Sequence, residues 1–300
     1  MAKLIGFLGR SVLVDWGVLV AEGITVLLVP LFSSPTLRGF SCSDSSIRLP
    51  YLGDTIPTWA LGVGFIVGGL ALMVLLEIFL STPGPSGVLC RGRALPVWLV
   101  QLYSVITAFL CGAGFSQITT DIAKYHVGAL RPHFYQLCDP GNLCESVTDP
   151  FKYFYPGDGF ENYQCKGWDL HRIKEARLSF PSGHASLSFY VSTYLIFYFH
   201  SRLRDCKTQR ALACFIVRPF IQGLALLAAW FTAVSRVMDN MHHWRDVTAG
   251  GLIGITAAVL IVQSLKPFKD VRCLKPNEES PLRHLQAGRT GLNDIESNSN

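Results

Sequence analysis

Six runs of apolar residues, each about long enough to cross a bilayer, constrain this 300-residue chain more than any other feature. They extend from Ser11 to Phe32, Thr58 to Leu80, Pro96 to Thr119, His184 to His200, Phe215 to Val234 and Asp246 to Leu265. A helix needs about 20 residues to span a hydrocarbon core of roughly 30 Å, and only the fourth run sits near the lower limit. Backbone amides in lipid must be bonded internally, so such runs fold as helices. Half of the residues are apolar and 16% are charged, which excludes an ordinary soluble domain. The expected fold is all-α, a polytopic integral membrane protein with six transmembrane helices. Residues 1–10 read as a cytosolic N-terminus, 11–268 as one six-helix membrane domain, and 269–300 as a disordered, polar cytosolic tail. The first run, at 22 residues, is long for a signal peptide and lacks a small-residue cleavage site, so it is expected to stay as a helix.

Charge sets the orientation. Lys3, Arg10, Arg91, Arg93, Arg202, Arg204, Lys207, Arg210, Lys266, Lys269, Arg272 and Lys275 flank the runs on one side, twelve in all. Leaving out the long loop between the third and fourth runs, because long loops obey the charge rule poorly, Arg38, Arg48, Arg236 and Arg245 make four on the other. The side richer in Lys and Arg is cytosolic. Both termini are therefore expected in the cytosol, and the loops after the first, third and fifth runs outside or in a lumen. The net charge of +5 follows from these flanks and gives no support to a nucleic-acid binder. Cys42, Cys138, Cys144 and Cys165 share the lumenal side, where disulfides form in any of three pairings. Asp15, Glu22 and Glu77 lie within apolar runs, and such carboxylates most often have structural partners.

Polar chemistry gathers in three places. Ser235 to Asp246 reads SRVMDNMHHWRD and places an Arg, two adjacent His and an Asp between the fifth and sixth runs. Phe180-Pro181-Ser182-Gly183-His184 stands directly before the fourth run. Ser182 suits a helix N-cap, the free amides of a first turn bind anions, and Gly183 lets an anion approach the backbone. After the third run come Lys124 and Arg131. If the helix continues to Pro132, these two share a face about 10 Å apart along the axis. Each motif also has a plain reading, as snorkelling anchors or an ordinary helix start. The aromatic residues Phe151, Tyr153, Phe154, Tyr155, Tyr163 and Trp168 read as an interfacial belt, or as a lid over the site.

Helix counting puts the end of the third run, the start of the fourth, the end of the fifth and the start of the sixth on one membrane face. Lys124, Arg131, Ser182, His184, Arg236, His242 or His243, and Asp246 then share one layer. This set suits phosphoryl transfer through a covalent phosphohistidine. Lys124, Arg131, Arg236 and the Ser182 to His184 backbone spread positive charge over the phosphoryl oxygens. A neutral imidazole attacks, Asp246 orients it, and His184 protonates the leaving alkoxide and then activates water. No metal or other cofactor is required. A zinc site built from His184, His242 and His243 would be opposed by the neighbouring cations.

The three motifs, Lys124-YHVGAL-Arg131-Pro132, Pro181-Ser182-Gly183-His184 and Ser235-Arg236-VMDNM-His242-HWR-Asp246, match in full the pattern KxxxxxxRP, PSGH and SRxxxxxHxxxD. On these residues the chain resembles the type-2 phosphatidic acid phosphatase superfamily. The six runs with RGFSCSDSSIRLPY, TDIAKYHVGALRPHF and EARLSFPSGHAS look like the lipid phosphate phosphatases within it, from about residue 10 to 268. The resemblance implies His242 rather than His243 as nucleophile, with His184 and Asp246 also catalytic. It implies Lys124, Arg131, Ser182, Gly183 and Arg236 as phosphate-binding. It further implies metal-independent hydrolysis of phosphatidate, lysophosphatidate, ceramide 1-phosphate and sphingosine 1-phosphate at the plasma membrane. The implied partners are the bilayer and a lipid phosphate, a homo-oligomer being compatible with the sequence. The rival reading is a non-enzymatic scaffold or adhesion relative. No Asn-x-Ser/Thr acceptor occurs in the chain, a departure from the family pattern.

Overall fold

The apolar runs fold as long helices. The computed structural model describes residues 2–80, 87–90, 93–145, 148–149, 151–158, 162–203 and 211–265. The expected tail, 269–300, lies outside the described residues, as do Cys206, Cys273 and, in the orientation count, Arg91, Arg204, Lys207, Arg210, Lys266, Lys269, Arg272 and Lys275. Helix α1 (Ala2–Phe32) leads through strand β1 (Phe40–Ser41) to α2 (Thr58–Leu61), which passes through a π-helical segment, Gly62–Val67, into α3 (Gly68–Leu80). A hairpin of β2 (Gly87–Cys90) and β3 (Arg93–Pro96) then opens α4 (Val97–Val127). Short α5 (Phe134–Cys138), β4 (Tyr153–Pro156), β5 (Asn162–Tyr163) and α6 (Leu170–Glu175) precede α7 (Gly183–Arg202), α8 (Ala211–Met238) and α9 (Trp244–Leu265). The all-α expectation thus needs correction: among the described residues the mostly helical bundle carries two small sheets.

Among the described residues, five helical stretches are long and apolar enough to cross a membrane: Val12–Phe32, Thr58–Phe79, Trp98–Val127, Ile216–Met238 and Trp244–Leu265. Large apolar side chains such as Leu27, Trp59, Leu75, Phe220, Leu227, Trp230 and Leu252 project from them into the surroundings. A water-soluble protein does not sustain so broad an apolar perimeter, whereas lipid welcomes it. The chain is a multi-pass membrane protein. Helix α7, the expected fourth span, is 20 residues long but is not among the five. Its polarity follows from its place in the interior. Tyr190, Tyr194 and Tyr198 recur every fourth residue, are fully buried, and donate to the carbonyls of Phe109, Val105 and Met73. Hydroxyls satisfied in this way serve a helix surrounded by protein rather than lipid.

The three carboxylates within the apolar runs have partners. Glu77 accepts from Arg202 Nε and Nη2 at 2.7 and 2.8 Å and from the Tyr198 hydroxyl at 3.0 Å. Asp15 accepts from the Tyr103 hydroxyl at 3.0 Å, and Glu22 from the Cys111 thiol at 3.5 Å.

Above the bundle lies a cap built from residues 33–57 and the described residues between 128 and 182. In it β1 runs antiparallel to β4, pairing Phe40 with Phe154, and β5 lies parallel to β4. Phe40, Phe134, Phe154 and Tyr163 form its core, with the Arg177 guanidinium 4.8 Å from the Phe134 ring centre. Of the aromatics expected at an interface, Phe154 and Tyr163 are therefore core residues, while Phe151, Tyr153, Tyr155 and Trp168 are exposed. Two disulfides choose among the three pairings: Cys42 with Cys144 and Cys138 with Cys165.

Helices α7 and α9 approach closely because glycines face the contact. A Cβ on Gly250 would strike the Ser182 carbonyl, and one on Gly254 would strike the Ser186 carbonyl and lie 2.7 Å from the Tyr190 nitrogen. Small residues at such a seam let two backbones meet and pack without voids. Gly254→Ala is expected to force the helices apart at a cost of about 1–3 kcal/mol, the usual range for overpacking. Thermal unfolding of the detergent-purified chain checks this as a lower midpoint; an unchanged midpoint would show that the seam yields freely.

Candidate active site

The expected site residues sit at or close to places where helices begin or end. Helix α4 stops at Val127, because Gly128 adopts the left-handed conformation (φ 57°, ψ 36°) and its amide bonds the Lys124 carbonyl at 3.0 Å. This corrects the expectation that one helix carries both Lys124 and Arg131 up to Pro132. Gly128 could not bear a side chain here, since its Cβ would collide with the Thr36 carbonyl. Arg131 lies beyond the helix on a loop, held by its amide to the Ala176 carbonyl at 2.8 Å.

At the start of α7, Ser182 is the N-cap, its hydroxyl accepting from the Ala185 amide at 3.4 Å. The Ser182 amide is itself engaged, donating to the Asp246 carbonyl at 2.9 Å. Of the turn expected to cradle an anion, the amides of Gly183 and His184 thus remain as first-turn donors without an intrahelical acceptor. Lys124 reaches this turn: its Nζ lies 3.1 Å from the point a Gly183 Cβ would occupy. Helix α8 continues to Met238, so Ser235 and Arg236 belong to its last turn. The chain then reverses through Asn240 (φ 57°), and the amides of Met241 and His242 bond back to the Arg236 carbonyl.

Arg131, His184, Arg236 and His242 line one cavity of about 450 Å³ together with Tyr51, Asp54, Thr58, His133, Leu137, His171, Arg172, Glu175 and Met241. Its cations are closely held. Arg236 is buried and donates to Asp54 at 2.6 Å and to Asp239 at 2.8 Å. Arg131 contacts Glu175 at 3.5 Å, while its Nε is buried without a hydrogen-bond partner. His184 Nε2 lies 3.0 Å from the Ile56 carbonyl. Burial, then the positive charges of Arg131 and Lys124, hold the His242 imidazole well below its ordinary pKa, so the ring is neutral at pH 7. Burial likewise lowers His133 to about 4; its Nδ1 lies 2.8 Å from the Asn240 carbonyl.

Asp246, Ser182, Gly183 and Lys124 do not line that cavity. Lys124 borders a smaller one of about 220 Å³ with Asp121, Tyr125 and Glu175. Asp246 is wholly buried and accepts from the His243 amide at 3.0 Å, the reach-back contact of a helix capping box, and from the Ser179 hydroxyl at 2.5 Å. Its Oδ2 is 3.3 Å from His243 Nδ1 but 3.9 Å from His242 Nδ1, too long for a hydrogen bond. The expected orienting bond to His242 is therefore open in this structure. His242 Nδ1 and Asp246 Oδ1 are both buried without hydrogen-bond partners. Together the set can hold a tetrahedral anion beside a neutral imidazole, with a second ring close by.

Sequence reading missed Asp54, Glu175, His133 and Asp239. Asp239 was within reach of it, since it stands three residues after Arg236, just past the end of α8. Nothing in the local sequence of Asp54 tells that it crosses to Arg236.

The chain matches the PAP2 superfamily model over residues 104–270. A Drosophila melanogaster protein provisionally named a phosphatidate phosphatase is 36% identical over 287 residues, covering 90% of this chain and 72% of its own. Mouse phospholipid phosphatase 1 is 32% identical over 250 residues (82% of this chain, 81% of that one), and mouse phospholipid phosphatase 2 is 34% identical over 274 (90% and 91%). No solved structure matches the chain significantly.

Because His133 and His242 resist protonation when folded, the unfolded chain binds more protons below its ordinary histidine pKa of about 6.5. Stability is therefore full above that pH and falls as pH drops from about 6.5 toward 4, by up to about 1.4 kcal/mol per pH unit for each ring. Unfolding midpoints measured between pH 7.5 and 4.5 should decline, and His133→Asn, which keeps a donor for the Asn240 carbonyl, should make the decline shallower. Equal slopes in both proteins would contradict this account.

Proposed function

Since the chain belongs to the PAP2 superfamily and is a phosphatase of that type, we propose that it hydrolyses lipid phosphate monoesters through a phosphohistidine on His242. The observation that carries the reading is the convergence of Arg131, His184, Arg236 and His242, drawn from three separate stretches of sequence, on one cavity. Phosphatidate, lysophosphatidate, ceramide 1-phosphate and sphingosine 1-phosphate are the proposed substrates. All present a phosphate monoester at the membrane surface.

In the proposed first step His242 attacks phosphorus in line. A nitrogen–phosphorus bond forms and the bond from phosphorus to the lipid oxygen breaks; His184, whose pKa burial lowers to about 4, takes up a proton as the phosphate dianion enters and delivers it to the departing alkoxide. Water then attacks the phosphohistidine, giving its proton to His184 and releasing inorganic phosphate. Arg131, Arg236, Lys124 and the amides of Gly183 and His184 stabilise the charge that gathers on the phosphoryl oxygens. Ser182 acts by capping the helix that presents those amides. Asp246 takes up its orienting bond when charge appears on His242: catalytic hydrogen bonds are often long without substrate, and both partners carry an unbonded atom here. The reaction is proposed to need no metal, the work of a cation falling to the guanidinium and ammonium groups. Among the described residues no three His, Cys, Asp or Glu side chains converge as ligands.

The proposed topology counts α7 as a sixth crossing within residues 11–268. It puts both termini in the cytosol and the cavity on the outer or lumenal face of the plasma membrane. Single anchors at scattered depths, the scaffold alternative, would not bring four such side chains to a common space.

His242→Ala is expected to lower phosphate release more than about a thousandfold in a correctly inserted protein, as loss of a nucleophile does. The unaltered enzyme quenched in turnover with labelled phosphatidate should carry acid-labile phosphate that is absent from the variant. Full activity in His242→Ala would remove the mechanism. Activity with phosphatidate should survive an excess of chelator, and a preference for water-soluble phosphate esters over long-chain ones would argue against a lipid substrate.

A further inference from the structure

Arg236 cannot offer a phosphate a two-pronged grip as it stands. A guanidinium has five N–H groups. Nε donates to the Ser235 hydroxyl at 3.3 Å, Nη2 to that same hydroxyl at 3.3 Å and to Asp239 at 2.8 Å, and Nη1 to Asp54 at 2.6 Å. Four of the five are thereby engaged, and one N–H on Nη1 is left. One of the two carboxylates must yield for Arg236 to give phosphate a second N–H: Asp54 on Nη1 or Asp239 on Nη2.

The two are not alike. Asp239 is a fixture: its side chain is 11% exposed, it follows Arg236 by one helical turn, and it also accepts from the Thr55 amide at 2.8 Å and the Thr55 hydroxyl at 2.6 Å. Asp54 is 42% exposed, lines the cavity, and reaches Arg236 from a strap, residues 49–57, that spans the cavity rim. That strap has anchors of its own. Leu49 donates to the Pro132 carbonyl at 2.9 Å, Tyr51 to Gln136 at 2.7 Å, and Asn240 donates to the Pro50 carbonyl at 2.9 Å. The Asp54 side chain can swing away while the backbone beneath it stays pinned.

We propose that Asp54 is a built-in competitor of phosphate: its carboxylate occupies the Nη1 side of Arg236 and is displaced by the phosphoryl group of the substrate. This inference rests on the reading of the cavity as a phosphate-cleaving site. It gives the competitor a use, because a site lined with this much positive charge would otherwise retain inorganic phosphate. A carboxylate a few ångströms away returns to Arg236 and repels the product. Asp54 thereby sets affinity for every phosphate monoester and for the free anion alike.

Binding of inorganic phosphate to the full-length protein in detergent, followed by equilibrium binding of labelled phosphate, tests the proposal without requiring turnover. Asp54→Asn should bind phosphate about tenfold more tightly than the unaltered chain, the scale of one unscreened charge removed at close range. With phosphatidate as substrate the same variant should show a lower KM and a stronger inhibition by phosphate. The gain should vanish in an Arg236→Gln background, because competition runs through that guanidinium. An equal or weaker affinity in Asp54→Asn overturns the proposal, as does an equal gain with and without Arg236. Asp54→Ser should behave in the same way. A contact that substrate displaces cannot be needed for the fold, so failure of both variants to insert also counts against it. If the unaltered chain itself binds no phosphate and releases none from phosphatidate, the fault lies with the phosphatase reading rather than with Asp54.

Discussion

The junction between the starts of α7 and α9 is the constraint from which the cavity follows. Glycines at 250 and 254 bring the two backbones together, and the bonds from the Ser182 amide to the Asp246 carbonyl and from the Ser179 hydroxyl to the Asp246 carboxylate lock their first turns in register. Asp246 also holds the His243 amide, so the turn that carries His242 is fixed to the helix that carries His184. Polar atoms this deep are costly when left unbonded, which makes the arrangement hard to distort by small amounts. The orientation of His242 is thus inherited from helix capping rather than from the capping carboxylate touching the ring.

Around this junction the protein gathers like charges and then neutralises them from nearby. Arg131 meets Glu175, Arg236 meets Asp54 and Asp239, and Lys124 has Asp121 at 4.0 Å. A buried cation without a counter-charge would cost several kcal/mol. The cavity is therefore a balanced set of pairs, and its affinity for an outside anion is the difference between that anion and the internal partner it replaces. His242, with Asp246 no nearer than 3.9 Å, is held neutral by burial and by the cations around it.

The helices were legible because lipid permits few alternatives, and the three motifs were legible because their residue types are rare between apolar runs. Ser182 was read as an N-cap from its place before a helix, and the structure bears this out. The end of α4 was misjudged at Pro132 although Gly128 carried the stronger stop signal, a residue suited to a left-handed cap. What the local sequence hides is long-range: the pairing of Arg236 with Asp54, 182 positions away, and the choice of disulfide partners depend on how loops fold over the bundle. The small sheets escaped notice because strands of two to four residues leave no periodic signature.

The two disulfides overlap along the chain, so that the strap bearing Asp54 and the loop bearing Arg131 both lie within the ring closed by Cys42 and Cys144, while Cys138 ties that ring to the segment leading into α6. Opposite walls of the cavity are thus members of one covalent circuit. Thiols pair only where the surroundings are oxidising. A copy of the chain kept among reduced thiols would retain the glycine seam and every charged side chain, yet its roof would be unfastened; the closing of the cavity is tied to the chemistry of the space into which its cap emerges.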